Sequence, residues 1–66
     1  MNIKPITERE WIGLTINEAN QRAEMIGYTC RVVEQDGRSL MVDMDVKSNR
    51  LNLRLKNGIV TGLYTG

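Results

Sequence analysis

The chain has 66 residues, enough for one small domain, and a domain of this size buries only about 60% of the surface that its unfolded chain exposes. Hydrophobic residues make up 41% of the chain and charged residues 26%, a composition typical of a globular domain and not of a disordered segment. Nine Lys and Arg residues against eight Asp and Glu residues leave a net charge of +1, which excludes a strong positive field for binding nucleic acid or anionic membranes.

The beginning of the chain and its one cysteine bear on localisation. Residues 1–10 are polar, contain Pro5 and predict a surface leader, whereas residues 11–66 predict a single domain. No apolar run resembles a signal peptide or approaches the roughly 20 residues of a membrane span. Cys30 has no internal disulfide partner, which favours a reducing compartment. We therefore expect a cytoplasmic protein, or a secreted one if a signal peptide had been removed.

The first predicted element is a helix of about three turns. Trp11 begins the predicted core as a lid, and Thr15 with Glu18 matches a capping box, in which each residue accepts a hydrogen bond from the main chain of the other. Gly27 predicts the end of the helix, because glycine readily adopts the left-handed conformation. The predicted apolar face contains Ala19, Ala23 and Ile26, with Ile16 and Met25 at its edges.

Three strands follow from alternation and turn signals. Tyr28–Glu34 is rich in β-forming residues, and Tyr28, Cys30 and Val32 fall on one side of it. A later strand places Leu51, Leu53 and Leu55 on one face. Asn57-Gly58 is a strong signal for a two-residue hairpin turn, so we expect residues 59–64 to form the next strand.

The stretch Gln35–Asn49 has two interpretations. Asp36-Gly37 predicts a tight turn, after which Arg38–Asp45 would return antiparallel to the first strand in a four-strand meander that buries Met41 and Met44. Alternatively the stretch is a long loop that leads to a parallel strand, since a parallel connection needs a dozen or more residues. Local pattern favours the meander, but a long loop without secondary structure in a small domain is usually functional.

Residue types argue against catalysis. The chain has no histidine, so Cys30, Ser39 and Ser48 lack the usual general base, and a zinc site lacks ligands. Asp43 and Asp45 lie on one side of an extended segment, but such carboxylates are usually only solvated. Cys30 is expected to be a small buried apolar residue. One Trp and two Tyr are too dispersed to stack nucleic-acid bases. We expect no enzyme, cofactor or metal.

The order of several short motifs resembles the potato inhibitor I family, and in particular its short bacterial peptidase-inhibitor relatives. The resemblance covers about residues 11–66. It implies an α+β fold, with one helix packed on a small mixed sheet and two parallel strands joined by a long exposed loop, here residues 35–49. The motifs are Ile12-Gly13-Leu14-Thr15-Ile16-Asn17-Glu18-Ala19, Arg31-Val32-Val33, Met44-Asp45, Arg50-Leu51-Asn52-Leu53, Val60-Thr61 and Gly66.

The same resemblance implies which residues bind a protease. Met44 matches the residue that enters the protease's primary pocket, and Met44–Asp45 is then the scissile bond. Asp43 precedes it where the family usually has threonine. Val42 and Val46 match flanking positions, which would pair through the main chain as an added strand does. Members of the family inhibit serine proteases because the loop is held stiff in its bound conformation.

Loop support is also implied by the resemblance. Arg50 matches the first of two arginines that reach the loop from the following strand, where Asp43 and Asp45 would accept charge-assisted hydrogen bonds. Asn52 replaces the second arginine, and we expect its role to be lost or taken by Lys47 or Arg54.

The leading functional hypothesis is therefore an inhibitor of chymotrypsin-type or subtilisin-type serine proteases, favoured as a monomer. The alternatives are a non-inhibitory protein-binding module on the same fold and a structural or assembly protein with the meander fold. The expected partner is a serine protease or another protein, not nucleic acid or a membrane.

Overall fold

A computed structural model describes residues 6–42 and 44–66. Within these ranges the chain forms one α-helix and a four-stranded mixed sheet, an α+β architecture. The sheet order is β2-β1-β3-β4, in which β1 and β3 are parallel and the other neighbours are antiparallel. The elements are a 3-10 helix Glu8–Glu10, α1 Ile16–Met25, β1 Thr29–Gln35, β2 Arg38–Ser39, β3 Arg50–Lys56 and β4 Ile59–Thr65.

The predicted helix start is confirmed. The Thr15 main-chain N–H donates to Glu18 Oε1 at 2.9 Å, and the Glu18 N–H donates to Thr15 Oγ1 at 3.2 Å. The bond from the Thr15 main-chain N–H, followed by the Thr15 side chain, holds the pKa of the Glu18 carboxyl below its usual value. Gly27 has φ of 77°, the left-handed conformation expected after the helix end. No helix in the described ranges is long and apolar enough to cross a membrane.

The buried face of α1 is narrower than predicted. Ala19 and Ala23 are buried, but Met25 and Ile26 are exposed, so the prediction that Ile26 continues the buried face is wrong. Ile26 is the C-cap, with φ of −109° and ψ of 12°. Those angles leave the helical conformation, and the 3.6-residue periodicity no longer sets the direction of its side chain.

The core lies between α1 and one face of the sheet. The alternation predicted for β3 is confirmed, because its three leucines point into the core. Trp11 covers this core as predicted, and the Arg22 guanidinium lies 5.8 Å from its ring centroid, within cation–π range. The core residues are Trp11, Ala19, Ala23, Leu51, Leu53, Leu55, Val60 and Leu63, against which Ile6, Leu14, Ile16, Tyr28, Cys30 and Val32 pack.

Both predicted tight turns are present at the same end of the sheet. Asp36-Gly37 and Asn57-Gly58 have positive φ at both positions, as two-residue hairpins of the primed type require. The Asn57 N–H donates to Asp36 Oδ1 at 2.8 Å, and this bond links the two turns. The carboxyl ends of β1 and β3 are therefore fixed to each other by side-chain contact as well as by the sheet.

The meander interpretation is wrong. β2 pairs with β1 only at Arg38 and Ser39, and one further bond from the Leu40 N–H to the Val33 carbonyl at 2.9 Å ends the pairing. β1 instead pairs directly with β3, in parallel. Extended polar and apolar residues alternate in the same way in a strand and in a stretched loop, so the local pattern could not separate the two.

The N-terminal segment contacts the outer edge of β4. Ile6 packs against the core, and Glu8 Oε2 accepts a hydrogen bond from the Leu63 N–H at 3.1 Å. Further along, the Val60 N–H donates to the Leu14 carbonyl at 2.8 Å. These bonds satisfy main-chain groups that an edge strand otherwise leaves open. Residues 1–5 of the predicted leader lie outside the described residues.

Candidate functional site

The candidate site is the segment of residues 40–49, which we call the crossover loop because it crosses from β2 to the start of β3. Both of its ends are hydrogen-bonded to β1. At one end the Leu40 N–H donates to the Val33 carbonyl, and at the other the Thr29 N–H donates to the Asn49 carbonyl, each at 2.9 Å. The loop thus begins and ends at fixed points on one strand.

Between these points the crossover loop exposes apolar side chains. Met44 is 96% exposed and Met41 is 103% exposed, the value expected of a side chain in an open chain. Val46 is also largely exposed, whereas Leu40 and Val42 are partly covered. Single exposed apolar residues are normal, but a run of them on one segment is typical of a surface that contacts a partner.

Arg50 lies beneath the crossover loop and is only 8% exposed. Its neighbour Leu51 points into the core, so alternation places Arg50 on the sheet face away from α1. Arg50 Nη2 donates to the Asp45 main-chain oxygen at 2.6 Å, and Nε donates to the Gly66 main-chain oxygen at 3.0 Å. One guanidinium therefore connects the loop, the start of β3 and the residue that follows β4.

The contact between Arg50 and the loop differs from the predicted one. We expected the carboxylates of Asp43 and Asp45 as acceptors, but for Asp45 the acceptor is its main-chain oxygen. Asp43 lies outside the described residues. A main-chain acceptor fixes the backbone of the loop, whereas a carboxylate would fix only a side chain.

Asn52 is fully buried on the same face, with 0% of its surface exposed. Its Oδ1 accepts a hydrogen bond from Arg31 Nε at 2.8 Å, and its Nδ2 donates to the Gly66 main-chain oxygen at 3.3 Å. Arg31 and Asn52 stand opposite each other in the parallel register of β1 and β3. Every buried side-chain nitrogen and oxygen of the described residues has a hydrogen-bond partner.

Sequence reasoning missed Arg31. We expected the role of the second arginine to be lost or taken by Lys47 or Arg54. The Arg54 guanidinium instead lies 5.9 Å from the Tyr64 ring centroid, in cation–π range. Arg31 comes from the neighbouring strand, not from β3. Its role becomes visible in the sequence only when the parallel register is known.

The described residues contain no group of three or more metal-ligating side chains. Cys30 is half-buried and its Sγ lies 3.8 Å from the Ala19 carbonyl oxygen, so it contacts the helix as the predicted small apolar residue would. Burial raises the pKa of the Cys30 thiol, which disfavours the reactive thiolate.

No protein-family profile, curated protein or solved structure matches the chain. The site therefore rests on its own geometry. Of the predicted contact residues, Val42, Met44, Asp45 and Val46 lie on the crossover loop. The two predicted support residues, Arg50 and Asn52, lie together in one buried hydrogen-bonded cluster with Gly66.

Proposed function

We propose that this protein is a serine protease inhibitor of the potato inhibitor I type, a binding protein and not an enzyme. Its reactive bond is Met44–Asp45. The observation that carries the proposal is the hydrogen bond from Arg50 Nη2 to the Asp45 main-chain oxygen, beside a Met44 side chain that is 96% exposed. The exposed Met44 side chain can enter a pocket, and Arg50 holds the adjacent backbone at Asp45.

This support suits inhibition better than hydrolysis. A serine protease attacks the Met44 carbonyl carbon with its hydroxyl oxygen and releases the Asp45 amine as the leaving group. Because Asp45 is tied to Arg50 through its carbonyl oxygen, that amine stays near the acyl carbon and can displace the serine again. The peptide bond re-forms, and the complex persists instead of releasing products.

The exposed side chains suggest the class of protease. Methionine is unbranched and adaptable, and it fits the hydrophobic slot of a chymotrypsin-type enzyme or the apolar pocket of a subtilisin-type enzyme. Val42 and Val46 extend the contact on either side of the reactive bond. An extended segment of this kind binds through main-chain hydrogen bonds, with side chains supplying specificity.

Changing the specificity of Met44 tests the proposal directly. Met44→Lys should weaken inhibition of chymotrypsin and create inhibition of trypsin, whose primary pocket carries an acidic residue. Met41→Lys is the matched control, because it adds the same charge to an equally exposed methionine of the same loop. We expect Met41→Lys to leave trypsin uninhibited. If neither the parent nor Met44→Lys inhibits chymotrypsin, subtilisin, elastase or trypsin, the proposal is wrong.

One observation favours a second candidate function. The crossover loop exposes Met41 as fully as Met44, which is more apolar surface than one primary pocket requires. A non-inhibitory binding module would use both methionines against another protein. In that case both lysine variants would weaken binding to this partner equally, whereas inhibition depends mainly on Met44.

A further inference from the structure

The cluster beneath the crossover loop, of which Arg50 and Asn52 are buried, forms a chain of hydrogen bonds that starts on β1. Arg31 Nε donates to Asn52 Oδ1, Asn52 Nδ2 donates to the Gly66 main-chain oxygen, and the same oxygen accepts from Arg50 Nε. Arg50 Nη2 then holds the Asp45 main-chain oxygen. Each member is linked to the next by a contact of 2.6 to 3.3 Å.

The direction of the Asn52 amide decides whether this chain is continuous. A side-chain amide has one acceptor end and one donor end, and rotation by about 180° exchanges them. Arginine can only donate, so Arg31 requires Oδ1 on its own side and leaves Nδ2 facing Gly66. The reverse orientation would place Oδ1 against the Gly66 oxygen, where two acceptors repel each other.

We propose that Arg31 is a positioning residue for the crossover loop. It orients the Asn52 amide, which holds Gly66, and Gly66 in turn fixes the Arg50 guanidinium under Asp45. Arg31 on β1 thus supports the crossover loop indirectly, through side chains of the neighbouring strand β3 and through Gly66. The effect on protease binding rests on the proposed inhibitor function, whereas the effect on loop order does not.

The burial of Asn52 gives its hydrogen bond from Arg31 its importance. Asn52 is fully buried, so water cannot readily replace a lost partner at Oδ1. Gly66 has φ of 149°, in the region that favours glycine, and a Cβ at this position would lie 3.5 Å from Asn52 Nδ2, in ordinary van der Waals contact with the cluster.

The experiment compares Arg31→Met with Arg54→Met in the full chain. Both substitutions remove a guanidinium and keep an unbranched stem, but Arg54 is exposed, lies over Tyr64 and takes part in none of the four hydrogen bonds that link Arg31 to Asp45. We measure backbone order parameters for residues 44–46 and the side-chain amide resonances of Asn52 by NMR in the free protein. Inhibition constants for chymotrypsin are measured on the same samples.

Arg31→Met should lower the order parameters of residues 44–46 from about 0.85, the value of a rigid backbone, to below about 0.6. It should also shift the Asn52 amide resonances and raise the inhibition constant about tenfold, the change expected for the loss of roughly 1.4 kcal/mol. Arg54→Met should leave the loop order unchanged and should shift the Asn52 amide resonances less than Arg31→Met does, because it breaks no hydrogen bond of Asn52 even though Tyr64 stands opposite Asn52 in the sheet. Arg31→Lys keeps a donor for Oδ1 and should retain most of the loop order.

An Arg31→Met variant with parent-like loop order and Asn52 resonances would overturn the inference, whatever its effect on stability. If Arg31→Met does not fold, the comparison passes to Arg31→Ala, which also removes the donor to Asn52 Oδ1, and an ordered loop with parent-like Asn52 resonances in that variant would overturn the inference. Should the parent inhibit no protease while Arg31→Met still mobilises the loop, the inhibitor function is lost and the positioning role of Arg31 stands.

Discussion

Replacing Arg50 by lysine isolates what the guanidinium does for the crossover loop. Lysine keeps the positive charge and most of the stem, but it cannot present two donors in a fixed planar fork to the Asp45 and Gly66 oxygens. The variant therefore loses about one hydrogen bond from a charged donor, worth roughly 1.5–3 kcal/mol. A chain of 66 residues has a total stability of roughly 3–10 kcal/mol, so most of the protein should remain folded.

The lost bond lowers the fraction of free protein whose loop is ready to bind. The apparent dissociation constant rises in inverse proportion to that fraction, and each 1.4 kcal/mol corresponds to about a tenfold change. We expect the inhibition constant of Arg50→Lys to rise between about tenfold and a hundredfold. The value depends on how much of the lost energy ordered the loop and how much stabilised the whole domain.

The assay follows residual chymotrypsin activity over time with Arg50→Lys and with the control Arg54→Lys. The control makes the same change at the exposed arginine further along β3. Arg50→Lys should inhibit at first and then be cleaved at Met44–Asp45, because a less restrained Asp45 amine leaves the acyl carbon. Chymotrypsin activity should then return. An Arg50→Lys variant that inhibits within twofold of the parent and resists cleavage would refute the role given to Arg50.

Two further predictions concern stability. Asp36→Gly removes the acceptor for the Asn57 N–H and should lower the free energy of unfolding by about 0.5–1.5 kcal/mol, which corresponds to about 4–8 °C in Tm per kcal/mol. Asp36→Asn keeps an oxygen acceptor and should retain most of this stability. If thermal denaturation shows an equal loss for both variants, the stabilising role of this bond is contradicted. Burial raises the pKa of the Cys30 thiol, so its contribution to stability is fully present below the ordinary thiol pKa and is lost as the pH rises from there through the raised pKa of the folded state. Denaturant unfolding at neutral and alkaline pH should show that the free energy of unfolding falls more steeply with rising pH in the parent than in Cys30→Ala. Parallel pH profiles would contradict the assignment of this loss to Cys30.

Elements with strong local signals were predicted well from the sequence. Thr15 and Glu18 determine the helix start through bonds three residues apart, so the signal and the structure it specifies lie in the same short segment. The turns at Asp36-Gly37 and Asn57-Gly58 likewise depend on residues that tolerate positive φ. In each case the physical cause is contained in a few consecutive residues.

Local sequence signals could not predict the sheet topology or the contact between Arg31 and Asn52 beneath the crossover loop. Alternation in residues 40–45 fits both a strand and an extended loop, and the pairing of β1 with β3 involves residues about 20 positions apart. Arg31 and Asn52 each look like surface residues when taken separately, because polar residues at alternating strand positions usually face water. Only the pairing of the two strands brings them together and buries Asn52.

The parallel pairing also gives the exposed crossover loop its points of attachment. The crossover loop is attached to β1 at both ends, through Val33 and Thr29, while Arg50 at the start of β3 holds its middle. Releasing the loop therefore requires breaking bonds to the two central strands, which are the part of a sheet that opens least readily. A mutation in the core that weakens the pairing of β1 with β3 should consequently loosen the loop as well. Loop order and the stability of the sheet are then two measures of the same interactions, and they should vary together among variants that leave the Arg50 cluster intact.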